Sequence, residues 1–218
     1  MKDNLKAKIV YENNKKYTQL TRYYQNGNIN LEMWLINHIR HRDNGPAIIH
    51  YYKNGNIKQK KYYKNDKLHK DNGPAIICYH INGNIEKKAW CKNSRFHRDR
   101  GPAIIYYNGN NNVKEKYWYK NNLIHRENGP AFIKYDTNNK IIKKTWYKNN
   151  ELHRDGGPAI IEYYENGNIK QEKYYQNNKY HNFNGPAIIK YDENENIINE
   201  KYYLNGKEVD ELKVLVNI

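Results

Sequence analysis

The stretch "HRDNGPAIIHYYKNGN" begins at His41, and close variants of it begin at His69, His97, His125, His153 and His181, a period of 28 residues with no insertion. The Gly-Pro pairs keep the same spacing: Gly45-Pro46, Gly73-Pro74, Gly101-Pro102, Gly129-Pro130, Gly157-Pro158 and Gly185-Pro186. A fixed period of this size marks an array of small supersecondary units, each of which buries its apolar surface only against its neighbours. The fold therefore has to be periodic. What one unit is, and whether its recurring residues build or act, is read from the residues inside the period.

Each unit reads as a strand through P-A-I-I-x-Y, a turn at x-N-G-N, a second strand ending in an aromatic pair such as Tyr62-Tyr63 or Trp118-Tyr119, and a polar turn such as K-N-N-E. Asn-Gly is expected to supply the positive φ angles of a two-residue type I′ turn, so the unit is a β-hairpin. That turn sets Ala47 opposite Tyr62, Ala75 opposite Trp90 and Ala131 opposite Trp146. Ile49 and Tyr51 then share the Ala47 face, with Ile48, Ile57 and Tyr63 on the other. Apolar residues on both faces imply a bulge or a curled sheet. The expected fold class is all-β, an elongated single-layer or curled array of stacked antiparallel β-hairpins with capped ends. At ~9.5 Å per hairpin it would run about 60 to 65 Å. The tyrosines at 23, 51, 79, 107, 135, 163 and 191 would form a ladder along it.

Three segments follow. Residues 1–40 form an N-terminal capping half-repeat and hairpin, because YENNKKYTQLTRYYQNGNI matches a full unit with four residues missing at the His-to-Pro turn. Residues 41–206 are the repeats. Residues 207–218 form a C-terminal cap, where Val209 stands in place of a seventh histidine and EVDELKVLVNI suits a short amphipathic helix with Leu212, Leu215 and Val216 inward.

Composition agrees with a thin structure. Hydrophobic residues make up 38% of the chain, with 23 Tyr and 4 Trp against 3 Phe, side chains suited to a pleated, half-buried surface. The net charge of +15 is that of a nucleic-acid or acidic-lipid binder, or else the mark of AT-rich codons that specify Lys, Asn, Ile and Tyr. The charge is uneven: residues 1–150 hold 30 Lys and Arg against 11 Asp and Glu, and residues 151–218 hold 8 against 12. This favours a basic working face on the earlier part, or contact between oppositely charged ends. Cys78 and Cys91 each fill an ordinary repeat position, which suits free thiols in a reducing compartment. The N-terminus has no apolar signal core and no run approaches a membrane span, so a cytoplasmic or otherwise intracellular location is expected.

His41, His69, His97, His125, His153 and His181 are candidates for metal ligands or for turn fasteners. Rungs ~9.5 Å apart cannot share one ion, so the expected role is a backbone hydrogen bond in the turn leading to Gly45, Gly73, Gly101, Gly129, Gly157 or Gly185. The Arg or Lys after each of the first five histidines and the acid after that would pair across successive rungs, or else meet phosphate, whereas the sixth copy breaks the pattern with Asn182-Phe183. The candidate binding set lies on the second strands and the turns after them: Lys58, Lys60, Lys61, Lys64, Lys87, Lys88, Lys92, Lys114, Lys116, Lys120, Lys143, Lys144 and Lys148, interleaved with Trp90, Trp118 and Trp146. Alternating cation and ring is the chemistry of polyanion contact, and equally of a solvated edge guarded by lysines. Ser94, the one serine, sits in a turn, and no phosphate loop of the Walker type is present. No catalytic residue, metal or cofactor is expected.

The segment YKNNELHRDGGPAIIEYYENG resembles the MORN repeat, and more closely the longer MORN-like variant with an H-R-x-x-G-P-A signature found in proteins of large DNA viruses and some bacteria. The resemblance spans roughly residues 8 to 206. It differs from the ordinary MORN unit in its 28-residue length and in Gly-Pro-Ala replacing a simpler Gly-x-Gly. It implies a scaffold, a dimerising rod or an anionic-phospholipid binder, with a large DNA virus as one possible source and a virion or infected cytoplasm as the location. The expected function is a non-enzymatic scaffold that binds a protein partner through an aromatic and basic face. The alternatives are a polyanion binder for nucleic acid or acidic lipid through the lysines of residues 51–150, and a self-associating homo-oligomer.

Overall fold

The computed structural model describes residues 5 to 211, and its regular elements are β-strands. The chain divides into two compact units, Met1–Asn112 and Val113–Ile218. In the first, β1 is Leu5–Glu12, β2 Lys15–Tyr23, β3 Ile29–Ile36, β4 Ile39–Arg40, β5 Ile48–Tyr51, β6 Ile57–Lys61, β7 Tyr63–Lys64 and β8 Lys67–Leu68. Pairing runs β1 to β2, β2 to β3, β3 to β5 and β5 to β6, then on through Ile76–Tyr79, Ile85–Ala89 and Ile104–Tyr107, antiparallel throughout. The second unit repeats the arrangement from Val113–Tyr117 through Phe132–Tyr135, Ile141–Thr145, Ile160–Tyr163, Ile169–Lys173 and Ile188–Tyr191 to Ile197–Leu204. Short two-residue strands such as β7 and β8 make a second, smaller hairpin in each copy. The all-β array of consecutive hairpins read from the period is the architecture found.

The turn chemistry is the reverse of the expected one. At the long hairpin Gly55 N–H donates to Tyr52 O at 3.0 Å and Tyr52 N–H to Asn56 O at 2.8 Å. Gly55 has φ +89 whereas Asn54 does not have positive φ. This is a three-residue loop, a type I turn closed by a glycine in the left-handed region. The two-residue type I′ turn lies instead in the polar turn, where Asn65 and Asp66 have φ 49 and 61, and Asn149 and Asn150 have 52 and 72. Asparagine and aspartate tolerate that region better than other residues with a Cβ.

The glycine loop carries a bulge at Lys58, so Tyr51 pairs with Ile57 while His50 pairs with Gln59. The extra residue restores the line Ile49 to Lys60 and Ile48 to Lys61, which extends to the expected Ala47 and Tyr62. Two face assignments are corrected, those of Ile57 and Ala47. Ile57 packs with Tyr17, Trp34, Ile49 and Tyr51, whereas Ala47, Ile48 and Tyr63 form the opposite cluster with Met33 and Leu68. Each Gly-Pro-Ala alanine is 0% exposed, so this small residue marks where neighbouring chain leaves no room for more.

At the C-terminus Lys207–Val209 pairs with Tyr202–Leu204. The helix expected from Glu208 onward is corrected at its start, where Glu208 and Val209 belong to this strand, and Leu212, Leu215 and Val216 lie outside the described residues. No helix among the described residues is long and apolar enough to cross a membrane.

Candidate functional site

Among the repeat histidines, His41, His125 and His181 tie the loop before a long hairpin to the polar turn after it. Nδ1 of His41 accepts the backbone N–H of Asn65 at 3.1 Å, and the same bond joins Asn149 to His125 at 3.2 Å and Asn205 to His181 at 3.0 Å. Nε2 faces the acid two residues on: Asp43 at 2.9 Å, Asp71 for His69 at 2.8 Å, Asp99 for His97 at 2.9 Å and Asp155 for His153 at 3.3 Å. Where both bonds form, as at His41, the network assigns a neutral imidazole protonated at Nε2. The Lys15 ammonium and then the His41 ring hold the Asp43 carboxyl at about 2, and the histidines likewise lower Asp71, Asp99 and Asp155. A backbone bond was expected, but in the histidine's own turn. The partner is the polar turn that ends the same copy, brought back beside the histidine by the long hairpin between them.

That polar turn makes two further bonds to the copy before it. Ser94 N–H donates to Leu68 O at 2.9 Å while Leu68 N–H donates to Ser94 Oγ at 3.0 Å. Asn150 does the same with Ile124, at 2.9 and 2.7 Å, and Asn178 with Leu152, at 3.0 and 2.8 Å. The one serine is therefore a latch. At the opposite tip Asn56 Nδ2 donates to Ile81 O at 2.9 Å and Tyr52 Oη to Tyr79 O at 2.8 Å. The tip bonds escaped sequence reasoning, although the second Asn of x-N-G-N recurs.

The cation after each of the first five histidines lies over the aromatic eight residues earlier. Arg98 sits 3.9 Å from the Trp90 ring centre, Arg126 4.2 Å from Trp118, Arg154 4.0 Å from Trp146, and Lys70 3.9 Å from Tyr62. The three guanidiniums also donate to the carbonyls of Pro102, Pro130 and Pro158 at 3.1, 3.2 and 3.1 Å. Burial pushes the pKa of Arg98 and Arg126 down. The glycine before each proline gives this cation its room. A Cβ on Gly157 would lie 3.0 Å from Arg154, on Gly45 3.2 Å from Arg42, and on Gly129 3.2 Å from Arg126, with Gly101 at 3.3 Å and Gly73 at 3.6 Å from their own cations. The expected pairing of each Arg with the acid beside it across rungs is corrected, because those acids go to histidine and to turn lysines. Arg42 does reach an acid, Glu12, at 2.6 Å. In the sixth copy Asn182 takes over the bond to Pro186 O at 2.9 Å, beside Gly185.

Most of the candidate lysines have partners within the sheet. Lys60, Lys88, Lys116 and Lys144 lie 5.6, 5.5, 5.0 and 5.2 Å from the ring centres of Tyr79, Tyr107, Tyr135 and Tyr163. Glu32 and Glu172 hold the equivalent place in other copies and accept from the Tyr51 and Tyr191 hydroxyls. Lys87 lies 5.1 Å from Tyr106, Lys143 bonds Glu162 at 2.7 Å, and burial, followed by the charge of half-buried Lys61, lowers the pKa of His50. Lys58, Lys64, Lys92, Lys114, Lys120 and Lys148 are exposed. Of these, Lys64 and Lys120 reach Asp71 and Glu127 at 3.3 Å each. Trp90, Trp118 and Trp146 are half-buried under their guanidiniums.

Clefts lie between successive His-Arg loops. One of about 460 Å³ is lined by Arg42, Asp43, Lys64, Lys70 and Asp71. Another of about 490 Å³ is lined by Arg126, Glu127, Lys148, Arg154 and Asp155. A third, of about 670 Å³, has Arg154 facing Asn182, Phe183 and Asn184. Among the described residues no three His, Cys, Asp or Glu side chains gather as a metal site would need. Burial pushes the Cys91 thiol up to about 11, the opposite of nucleophile activation. No protein-family model matches the chain, and a search of curated proteins finds no match.

Proposed function

We propose that this chain is a non-catalytic repeat scaffold of the MORN-like kind, and that it binds an acidic protein segment along the clefts between its His-Arg loops. The observation that carries the reading is the recurrence of one lining. The clefts of about 460 and 490 Å³ each offer two loop cations, a turn lysine and two acids, an excess of one positive charge. Ser94 and Asn150 join one copy to the next and His41 closes its own copy, which supports an architectural role for them.

The test compares wild type with a Lys64→Gln, Lys92→Gln, Lys120→Gln, Lys148→Gln variant. Both are titrated with acidic peptides of differing sequence, single-stranded nucleic acid and acidic vesicles at several salt concentrations. Binding that keeps a peptide preference at physiological salt and weakens in the variant supports the reading. Equal binding of every polyanion, lost log-linearly with salt, replaces it with the polyanion function.

A further inference from the structure

We propose that two copies of this chain pair through β1, antiparallel about a two-fold axis at Ile9. Among the described residues β1 is bonded on one side only, to β2, which leaves eight residues of open edge. Three of its large apolar side chains are exposed, Leu5 by 47%, Ile9 by 50% and Tyr11 by 70%. Such an edge is a template for another strand.

Backbone parity decides which groups it offers. Trp34 N–H donates to Ala47 O at 2.8 Å, so Trp34 turns its peptide groups toward β5, and Met33 and Leu35 turn theirs toward β2. Leu20 and Thr18 oppose those two, so Gln19 and Tyr17 face β1, where they meet Lys8 and Val10. The type I′ turn at Asn13 and Asn14, closing on Glu12 and Lys15, requires the same phase. Leu5, Ala7, Ile9 and Tyr11 therefore direct N–H and C=O outward.

A symmetric antiparallel pair must match these outward residues with one another. An axis at Ile9 sets Ile9 against itself and Ala7 against Tyr11, with Lys6 against Glu12 and Lys8 against Val10 in the intervening pairs. Both ion pairs are then attractive, and a small residue meets a large ring twice. An axis at Lys8 would oppose two lysines at close range, an axis at Ala7 would oppose Lys6 and Lys8 twice, and an axis at Val10 would leave Leu5 and Lys6 without partners. Glu12 already holds Arg42, and its carboxylate has lone pairs left for a second cation.

Light scattering and sedimentation of the full chain test the idea. A species of twice 26.3 kDa that dissociates on dilution is expected. Ile9→Pro removes an outward N–H that β2 does not use, so it should keep the wild-type circular dichroism and weaken the dimer at least tenfold. Lys6→Glu should weaken it similarly by facing Glu12. Ile9→Cys should form a disulfide-linked dimer on mild oxidation that wild type does not. Ala7→Cys should not link to itself, yet should link to Tyr11→Cys. A 26.3 kDa monomer up to about 100 μM overturns the proposal, as does a dimer unaffected by Ile9→Pro or Ala7→Cys chains that link to each other as readily as Ile9→Cys chains.

Discussion

Replacing His41 with alanine tests whether the histidine at the head of each copy is a fastener. His41 is 8% exposed and makes two bonds, accepting from Asn65 N–H at 3.1 Å and donating to Asp43 at 2.9 Å. A neutral bond contributes about 1 kcal/mol and one to a charged group about 1.5 to 3. Asp43 keeps Lys15 and Tyr17 as partners, which places the second bond at the lower end. Loss of the buried ring leaves a partial cavity that adds about 1 kcal/mol. His41→Ala should therefore cost about 3 kcal/mol, a fall of about 1.5 M in the first urea midpoint at a slope of about 2 kcal/mol/M. Exchange of the Asn65 amide should quicken at least tenfold, because its acceptor is gone. His41→Asn should recover part of the loss, since Oδ1 stands where Nδ1 stood. An unchanged midpoint together with unchanged Asn65 exchange would refute the fastener role.

Three further outcomes are expected. Arg126→Ala removes the cation over Trp118 and the bond to Pro130 O, and should lower stability by about 1 to 2 kcal/mol with a change in tryptophan emission. No change in emission would place Arg126 elsewhere in solution. Burial holds His181 below its ordinary 6.5, so the unfolded chain takes up the proton first. Its contribution is complete above about pH 6.5 and declines as pH falls through the folded value. Asp43, at about 2 against 3.8, contributes above about pH 4 and loses that contribution toward pH 2. The thermal midpoint should accordingly fall from pH 7 to 5 and again below 4, and a rise on first acidification contradicts the assignment. Cys91, buried and with its thiol at about 11, should react with a thiol reagent at pH 8 far more slowly than Cys78, and equal rates would show that the strand opens.

The hairpin array was legible because its determinants are local. A 28-residue period, β-branched and aromatic alternation and turn residues at fixed offsets act within one copy, and the structure keeps all of them. The assignment of turn types failed for a local reason as well. Asn54-Gly55 and Asn65-Asp66 both suit tight turns, and which becomes the two-residue turn depends on the bulge at Lys58 that pairing with β5 imposes. Partners were beyond the sequence alone. His41 meets Asn65 and Lys60 meets Tyr79, separations of 24 and 19 residues that arise only when the long hairpin closes and one hairpin lies on the next. Recurrence singled out the histidines and lysines, but a recurring lysine in the sequence looks the same whether it meets solvent or a tyrosine ring. Stacking decided that, because inter-hairpin register determines which side chain lies within reach of which, and thereby separated Lys92, Lys114 and Lys148, exposed, from Lys88, Lys116 and Lys144, which lie over tyrosines.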